Sequence, residues 1–301
     1  MVTDMSKQTT PAVMQEKVNY DYDVMPLYIH RTTLSKYLTL NRGCHFHEDI
    51  EFFYVLSGHC TYFINGQLCR MEAGEGIFVN SGHFHNGFSE DDTDCEFICV
   101  LLNPFVLSIT ADLARNYLEP LLQNNAFPYQ HLSREVPWQA SILDLLDRLH
   151  TTYMYKAPGY ALELQSCFYT IWQLLFQNMP QPEKGKEREV SAKLCALRQM
   201  VSYVQDNLTE KMTLEKIAAA GHLCTSACCR LFQKYMQRSP MAFVNEYRLE
   251  KSRELLRETD LSITEVAFRL GFAGASYYSE QFRKQYNCTP RQYRSSVRGL
   301  R

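Results

Sequence analysis

The chain has 301 residues, 46% of them hydrophobic, enough for two domains with cores of their own. No stretch approaches the ~18 consecutive apolar residues of a membrane helix. The opening MVTDMSKQTTPAV lacks the basic-then-apolar layout of a signal peptide, so neither a secreted nor a membrane-spanning protein is expected.

Eleven cysteines, an odd number without a repeated CxxC pair, point to reduced thiols and a cytoplasmic protein rather than a disulfide framework. The net charge of −2 conceals an uneven distribution. Residues 1–190 carry 13 Lys or Arg against 23 Asp or Glu, whereas residues 191–301 carry 18 against 10. The basic part is the candidate for nucleic-acid contact.

Residues 1–19 are polar and read as a loosely ordered N-terminus. Over 20–107 the chain reads as short aromatic-rich strands broken by Gly-containing turns. Asn65-Gly66, between TYFI and QLCRM, is a strong hairpin signal. Strands at this spacing predict an antiparallel sandwich or barrel. Over 108–179 the period becomes helical. SILDLLDRLH and YALELQSCFYTIWQLLFQ carry apolar residues at i, i+3, i+4 and i+7, stripes suited either to dimerisation or to capping the barrel. PQPEKGKERE then reads as a linker over 180–190, where the charge balance changes sign.

Residues 191–301 contain an internal repeat. Phe232, Lys234 and Pro240 recur as Phe282, Lys284 and Pro290, and Ile217-Ala218 and Leu223 recur as Val266-Ala267 and Phe272. Each unit reads helix, tight Gly-containing turn, helix, with the stretch PMAFVNEYRLEKSRELLRE joining the two. This is the helix-turn-helix pattern, which docks its second helix in the DNA major groove. Taking Leu231, Phe232, Tyr278 and Phe282 as core leaves two outward stripes. They are Ser226, Cys229, Arg230 and Gln233 on one helix, and Ser276, Ser279, Glu280 and Arg283 on the other. Arg can bind guanine with two hydrogen bonds, Glu can accept from cytosine, and Ser is adaptable. Lys234, Lys284, Arg291 and Arg294 are expected at phosphates, which set register without reading sequence.

Through these residues, 191–301 resembles the DNA-binding domain of AraC/XylS-family transcription regulators. The match runs through Leu214, Ile217-Ala218, Arg230-Leu231-Phe232, Ser239-Pro240 and Arg248-Leu249. In the second unit it runs through Glu265-Val266-Ala267, Gly271-Phe272, Ser276-Tyr277-Tyr278, Phe282-Arg283-Lys284, Thr289-Pro290 and Tyr293-Arg294. The resemblance implies two helix-turn-helix units on one long helix, double-stranded DNA and RNA polymerase as partners, activation of transcription, and a homodimer. Gln237 and Asn287 depart from a usual glycine, and Cys224 from a usual capping serine.

In the strand region, His45-x-His47-x3-Glu51-x6-Gly58 and Gly74-x5-Asn80-x-Gly82-x2-His85 resemble the two cupin motifs. A regular strand would put His45, His47 and Glu51 on one face. The cupin resemblance implies a small barrel with a metal held by three histidines and a glutamate. Cupin-type sensor domains joined to this DNA-binding module generally serve as effector pockets, so His45, His47, Glu51 and His85 are expected to hold a small-molecule effector such as a sugar. A metal sensor or metal enzyme is the alternative. Asn80 replaces a usual proline, and Asp49 would add an inward carboxylate. Neither a catalytic residue nor a cofactor is expected. The fold class expected is multidomain: an antiparallel cupin-like β-barrel plus helices, followed by an all-α double helix-turn-helix.

Overall fold

A computed structural model describes residues 14–15, 20, 26–39, 44–91, 93–180 and 186–298. Apart from residues 14–15 and the linker's ends, the start expected over 1–19 and the expected linker lie outside the described residues. The chain divides into two compact units, Gln15–Leu194 and Cys195–Arg301. The division falls a few residues beyond the expected linker. Helix α6 (Lys186–Asp206) begins inside that linker and contains the division.

The first unit is a β-barrel of two five-stranded sheets. One has the order β1-β3-β8-β5-β6 and the other β10-β7-β4-β9-β2. The strands are β1 (Met14–Gln15), β2 (Leu27–Thr33), β3 (His45–Phe46), β4 (Ile50–Ser57), β5 (His59–Ile64), β6 (Gln67–Glu72), β7 (Gly76–Val79), β8 (His85–Phe88), β9 (Glu96–Leu102) and β10 (Tyr129–Leu132). Asn65 and Gly66 both have positive φ, 49° and 92°, and close the β5–β6 hairpin as their sequence predicts. Gly58, at φ 74°, turns the chain from one sheet to the other, and a Cβ there would stand 2.3 Å from the Asp94 carbonyl oxygen.

Strand β4 explains why this region reads as an unbroken apolar run. Ile50, Phe52 and Tyr54 face a core shared with the helices, while Phe53 and Val55 face the barrel interior. Glu51 falls on the interior face by the same alternation.

Helices α4 (Pro137–Tyr155) and α5 (Tyr160–Asn178) cover the outside of the second sheet. Leu143, Leu146, Leu164, Phe168 and Leu175 share one core with Phe52, Val100 and Leu102. The apolar stripes that sequence alone leaves open between dimerisation and capping are therefore buried against the barrel. The expected helical region, 108–179, is corrected in one respect: β10 lies within it and pairs antiparallel with β7. Between β9 and β10 run short helical turns, with α1 (Leu34–Thr39) earlier in the chain and α2 (Ala111–Leu113) and α3 (Glu119–Leu122) here. Asn80 stands where the sequence pattern leads one to expect proline. Its Nδ2 donates to the carbonyls of Leu121 (2.9 Å) and Phe127 (3.2 Å), tying β7 to this segment.

The second unit is all helical. After α6 come α7 (Leu214–Ala220), α8 (Thr225–Met236), α9 (Pro240–Glu258), α10 (Ile263–Arg269), α11 (Ala275–Tyr286) and α12 (Pro290–Arg298). Each boundary has a local cause. Thr213, Ser239 and Ser262 cap α7, α9 and α10 by accepting from backbone N–H groups, and Ser262 forms a full capping box with Glu265. Gln237 and Asn287 end α8 and α11 in the left-handed conformation, at φ 54° and 55°.

The tight turns depart from the sequence reading. In the second unit of the repeat Gly271 takes the left-handed position, φ 72°, but in the first that position belongs to His222, φ 55°, and not to Gly221. Gly221 is needed for space, since a Cβ there would meet the Ala196 carbonyl oxygen at 2.9 Å and Met200 Cγ at 2.8 Å.

Candidate functional site

Among the described residues, two groups carry chemistry, one in each unit. In the barrel, His45 and His85 are directly opposed partners of β3 and β8. His47 follows β3, and Glu51 enters from β4 in the other sheet. The expectation of one regular strand carrying His45, His47 and Glu51 is corrected: the chain leaves β3 after Phe46 and resumes as β4 only at Ile50. Convergence comes from the two sheets meeting, not from period-2 alternation. The bend also removes Asp49 from the group, and its carboxylate instead accepts from the Tyr20 hydroxyl at 2.8 Å.

The four sequence-predicted residues do come together. His45, His47, Glu51 and His85 are 1–3% exposed, and each offers one ligand atom within 4.8 Å of the others. His47 Nδ1 lies 3.0 Å from the Asp49 carbonyl oxygen, and His85 Nδ1 lies 2.7 Å from that of His83. A carbonyl only accepts, so both Nδ1 atoms donate and the Nε2 atoms of the neutral rings carry lone pairs. Those atoms face Glu51 Oε2 at 3.3 Å and 3.0 Å. Burial pushes the Glu51 carboxyl up, and only positive charge on its His85 and His47 side outweighs this and holds the group well below the usual carboxylate range.

Acceptors confronting one another at this distance require positive charge between them. Two protons would create neighbouring buried imidazolium rings, His47 and His85 being 4.9 Å apart between centroids. A single cation satisfies every donor atom at once. Three imidazoles and one carboxylate, with the His47 and His85 rings oriented by carbonyls behind them, fit a divalent transition metal. Tyr62, which sequence reading passed over, donates its hydroxyl to Glu51 Oε1 at 2.6 Å.

In the helical unit, α8 buries Cys228, Leu231, Phe232, Tyr235 and Met236. That leaves Ser226, Arg230, Gln233 and Lys234 exposed and Cys229 half-buried, as the stripe predicts. On α11, Tyr278 and Phe282 are buried, Ser276, Glu280, Arg283 and Lys284 exposed, and Ser279 half-buried. Tyr277, missed as an outward residue, is 43% exposed beside Ser276. Lys284 Nζ lies 2.7 Å from Glu280 Oε1, so these two side chains partly neutralise each other on the helix surface. Arg294 is half-buried, and one of its guanidinium nitrogens donates to the Leu261 carbonyl. Cys224 at the start of α8 makes no side-chain capping bond. The Ser226 hydroxyl, 3.2 Å from its Sγ, holds the thiol below the usual cysteine range.

The architecture defines a cupin barrel joined to a double helix-turn-helix DNA-binding unit. A helix-turn-helix domain family model matches residues 197–296 and a cupin domain family model matches residues 41–101. The HTH-type transcriptional regulator YdeC of Bacillus subtilis (strain 168) is 30% identical over 271 residues, 90% of this chain and 92% of that protein. The HTH-type transcriptional activator RhaS of Salmonella heidelberg (strain SL476) is 25% identical, over 83% of this chain and 86% of that protein. A crystal structure of an AraC-type DNA-binding-domain regulator from Chromobacterium violaceum aligns at 29% identity and TM-score 0.33, covering 34% of this chain and 91% of that one. The chain belongs to the AraC/XylS family of helix-turn-helix transcriptional regulators. Among the described residues, no helix is long and apolar enough to cross a membrane.

Proposed function

We propose that this DNA-binding regulator is governed by a divalent transition metal held in its cupin barrel by His45, His47, Glu51 and His85. The observation that carries the reading is the confrontation of the His47 and His85 Nε2 atoms with Glu51 Oε2, which a cation resolves. When bound, such an ion supplies Lewis-acid charge to three imidazoles and a carboxylate. A sugar, the other occupant expected of these residues, is poorly served by donor atoms within 4.8 Å of one another and side chains 1–3% exposed. The barrel acts as a sensor: an ion that favours one arrangement of the chain shifts the population competent to bind DNA. In keeping with activators of its family, the regulator contacts RNA polymerase and works as a cytoplasmic homodimer. With the α4 and α5 stripes buried, the apolar residues left for a partner on those helices include Met154, Tyr155 and Leu162, each at least 65% exposed.

On DNA, Arg230 reads guanine and Glu280 accepts from cytosine, while Ser226, Cys229, Gln233, Ser276, Ser279 and Arg283 complete the base-facing surfaces. Lys234 and Lys284 meet phosphates. The test is elemental analysis of the purified full chain beside His47→Ala and His85→Ala, together with selection of bound sequences from random DNA. One equivalent of metal in the parent and little in the variants supports the reading. Metal-free protein that selects and holds its site equally well contradicts it.

A further inference from the structure

Tyr62 stands behind the cluster, 1% exposed on β5. Its ring runs parallel to that of His85, with centroids 6.4 Å apart and planes 9° from parallel, and its hydroxyl donates to Glu51 Oε1 at 2.6 Å. Directly across the ladder, the partner of Tyr62 is Gly87. A Cβ on Gly87 would stand 2.6 Å from Tyr62 Cε2 and 3.1 Å from Cδ2. No other residue type leaves the tyrosine this position without displacement, so glycine opposite Tyr62 serves the placement of the hydroxyl.

The two oxygens of Glu51 are thereby divided. Oε1 is taken by the tyrosine, while Oε2 alone faces His47 and His85. We infer that Tyr62 is a positioning residue for the cluster, restricting Glu51 to a single oxygen toward the space between the imidazoles. This rests on the reading of that space as a transition-metal site. Three ring nitrogens and one carboxylate oxygen suit ions of the zinc and cobalt type. Calcium requires six to eight oxygen ligands and magnesium a set of oxygens in near-octahedral geometry, and this arrangement provides neither. Without the hydroxyl, Glu51 is free to turn both oxygens inward, changing the number of donors and the ions favoured.

The test is titration of the metal-free full chain with Co2+, whose visible absorption reports the number and kind of ligands. Tyr62→Phe should bind about 10- to 100-fold more weakly than the parent, the range for loss of a residue supporting a metal ligand, and should give an altered visible spectrum. Thermal unfolding of the metal-free variant checks that its barrel folds. If it does not, Gly87→Ala, which displaces the same ring, is expected to give the same spectral change. Unchanged affinity and spectrum in a folded variant overturn the role of Tyr62 and leave the metal reading standing. A parent chain that takes up no cobalt, or takes it up equally well after His47→Ala and His85→Ala, overturns the metal reading and the role of Tyr62 with it.

Discussion

Nε2 of His85 stands 3.0 Å from Oε2 of Glu51, while Nδ1 of the same ring donates to the His83 carbonyl oxygen 2.7 Å away. The relationship makes the barrel's stability dependent on what lies between the two. Zn2+ supplied to metal-stripped chain at roughly a hundred times its Kd is expected to stabilise the barrel by about 2.7 kcal/mol through mass action. His85→Ala should abolish the gain. Thermal unfolding with and without zinc measures it, and an equal gain in the variant would put the binding elsewhere.

Gly271 and Gly274 lie three residues apart and predict opposite outcomes. Gly271 has φ 72°, and a Cβ on it would stand 2.6 Å from Arg248 Nη2 and 3.1 Å from the Leu208 carbonyl oxygen. Gly274 has extended backbone, φ 176°, and open space around it. Gly271→Ala should cost at least about 1 kcal/mol. Gly274→Ala should be near neutral. Denaturant unfolding of the two variants decides, and equal losses would refute the steric account.

Arg248 is buried, and burial draws its guanidinium below the usual range; it donates to the carbonyls of Leu208 and Glu210. It thus ties α9 to the segment between α6 and α7. Arg248→Met removes those bonds and leaves two carbonyls unpaired, an expected loss of about 3 kcal/mol. Specific DNA binding should fall with it, as read by unfolding midpoint and by binding at a temperature where the parent is folded.

On α8, Arg230 and Lys234 are both exposed and cationic, yet their expected effects differ in kind. Arg230→Ala should cost about 1–3 kcal/mol on the selected site and relax preference at one base pair. Lys234→Ala should weaken every sequence alike and reduce the salt slope by about one. Binding isotherms against a panel of single-base variants at several salt concentrations separate the two. A uniform loss for Arg230→Ala would make it a phosphate contact.

Features fixed by neighbours in the chain were readable from the sequence. Asn65-Gly66 carries its turn in its own conformational preference, and the outward residues of α8 and α11 follow from helical spacing around Leu231, Phe232, Tyr278 and Phe282. The four cluster residues were legible as a set, but the reason they meet was not, because the bend at Glu48-Asp49 and the docking of two sheets depend on distant residues. Tyr62 reads in sequence as one more aromatic in a strand, and only the register that sets Gly87 opposite it reveals its space and its partner. Likewise nothing local distinguishes Gly221, required by α6 packing against it, from a turn glycine, while His222 takes the left-handed position. Arg294 shows the same limit, since its bond to the Leu261 carbonyl joins residues 33 apart in the chain.

Occupation of the barrel cluster is proposed to govern DNA binding in the other unit. Binding of the full chain to its selected DNA site, measured at fixed salt with metal-loaded and metal-stripped protein, tests it most directly. The two forms should differ in Kd by about 5- to 150-fold, the usual span of coupling between sites, and His47→Ala should bring them together. Identical Kd values for loaded and stripped protein, with the metal demonstrably bound, would contradict the claim.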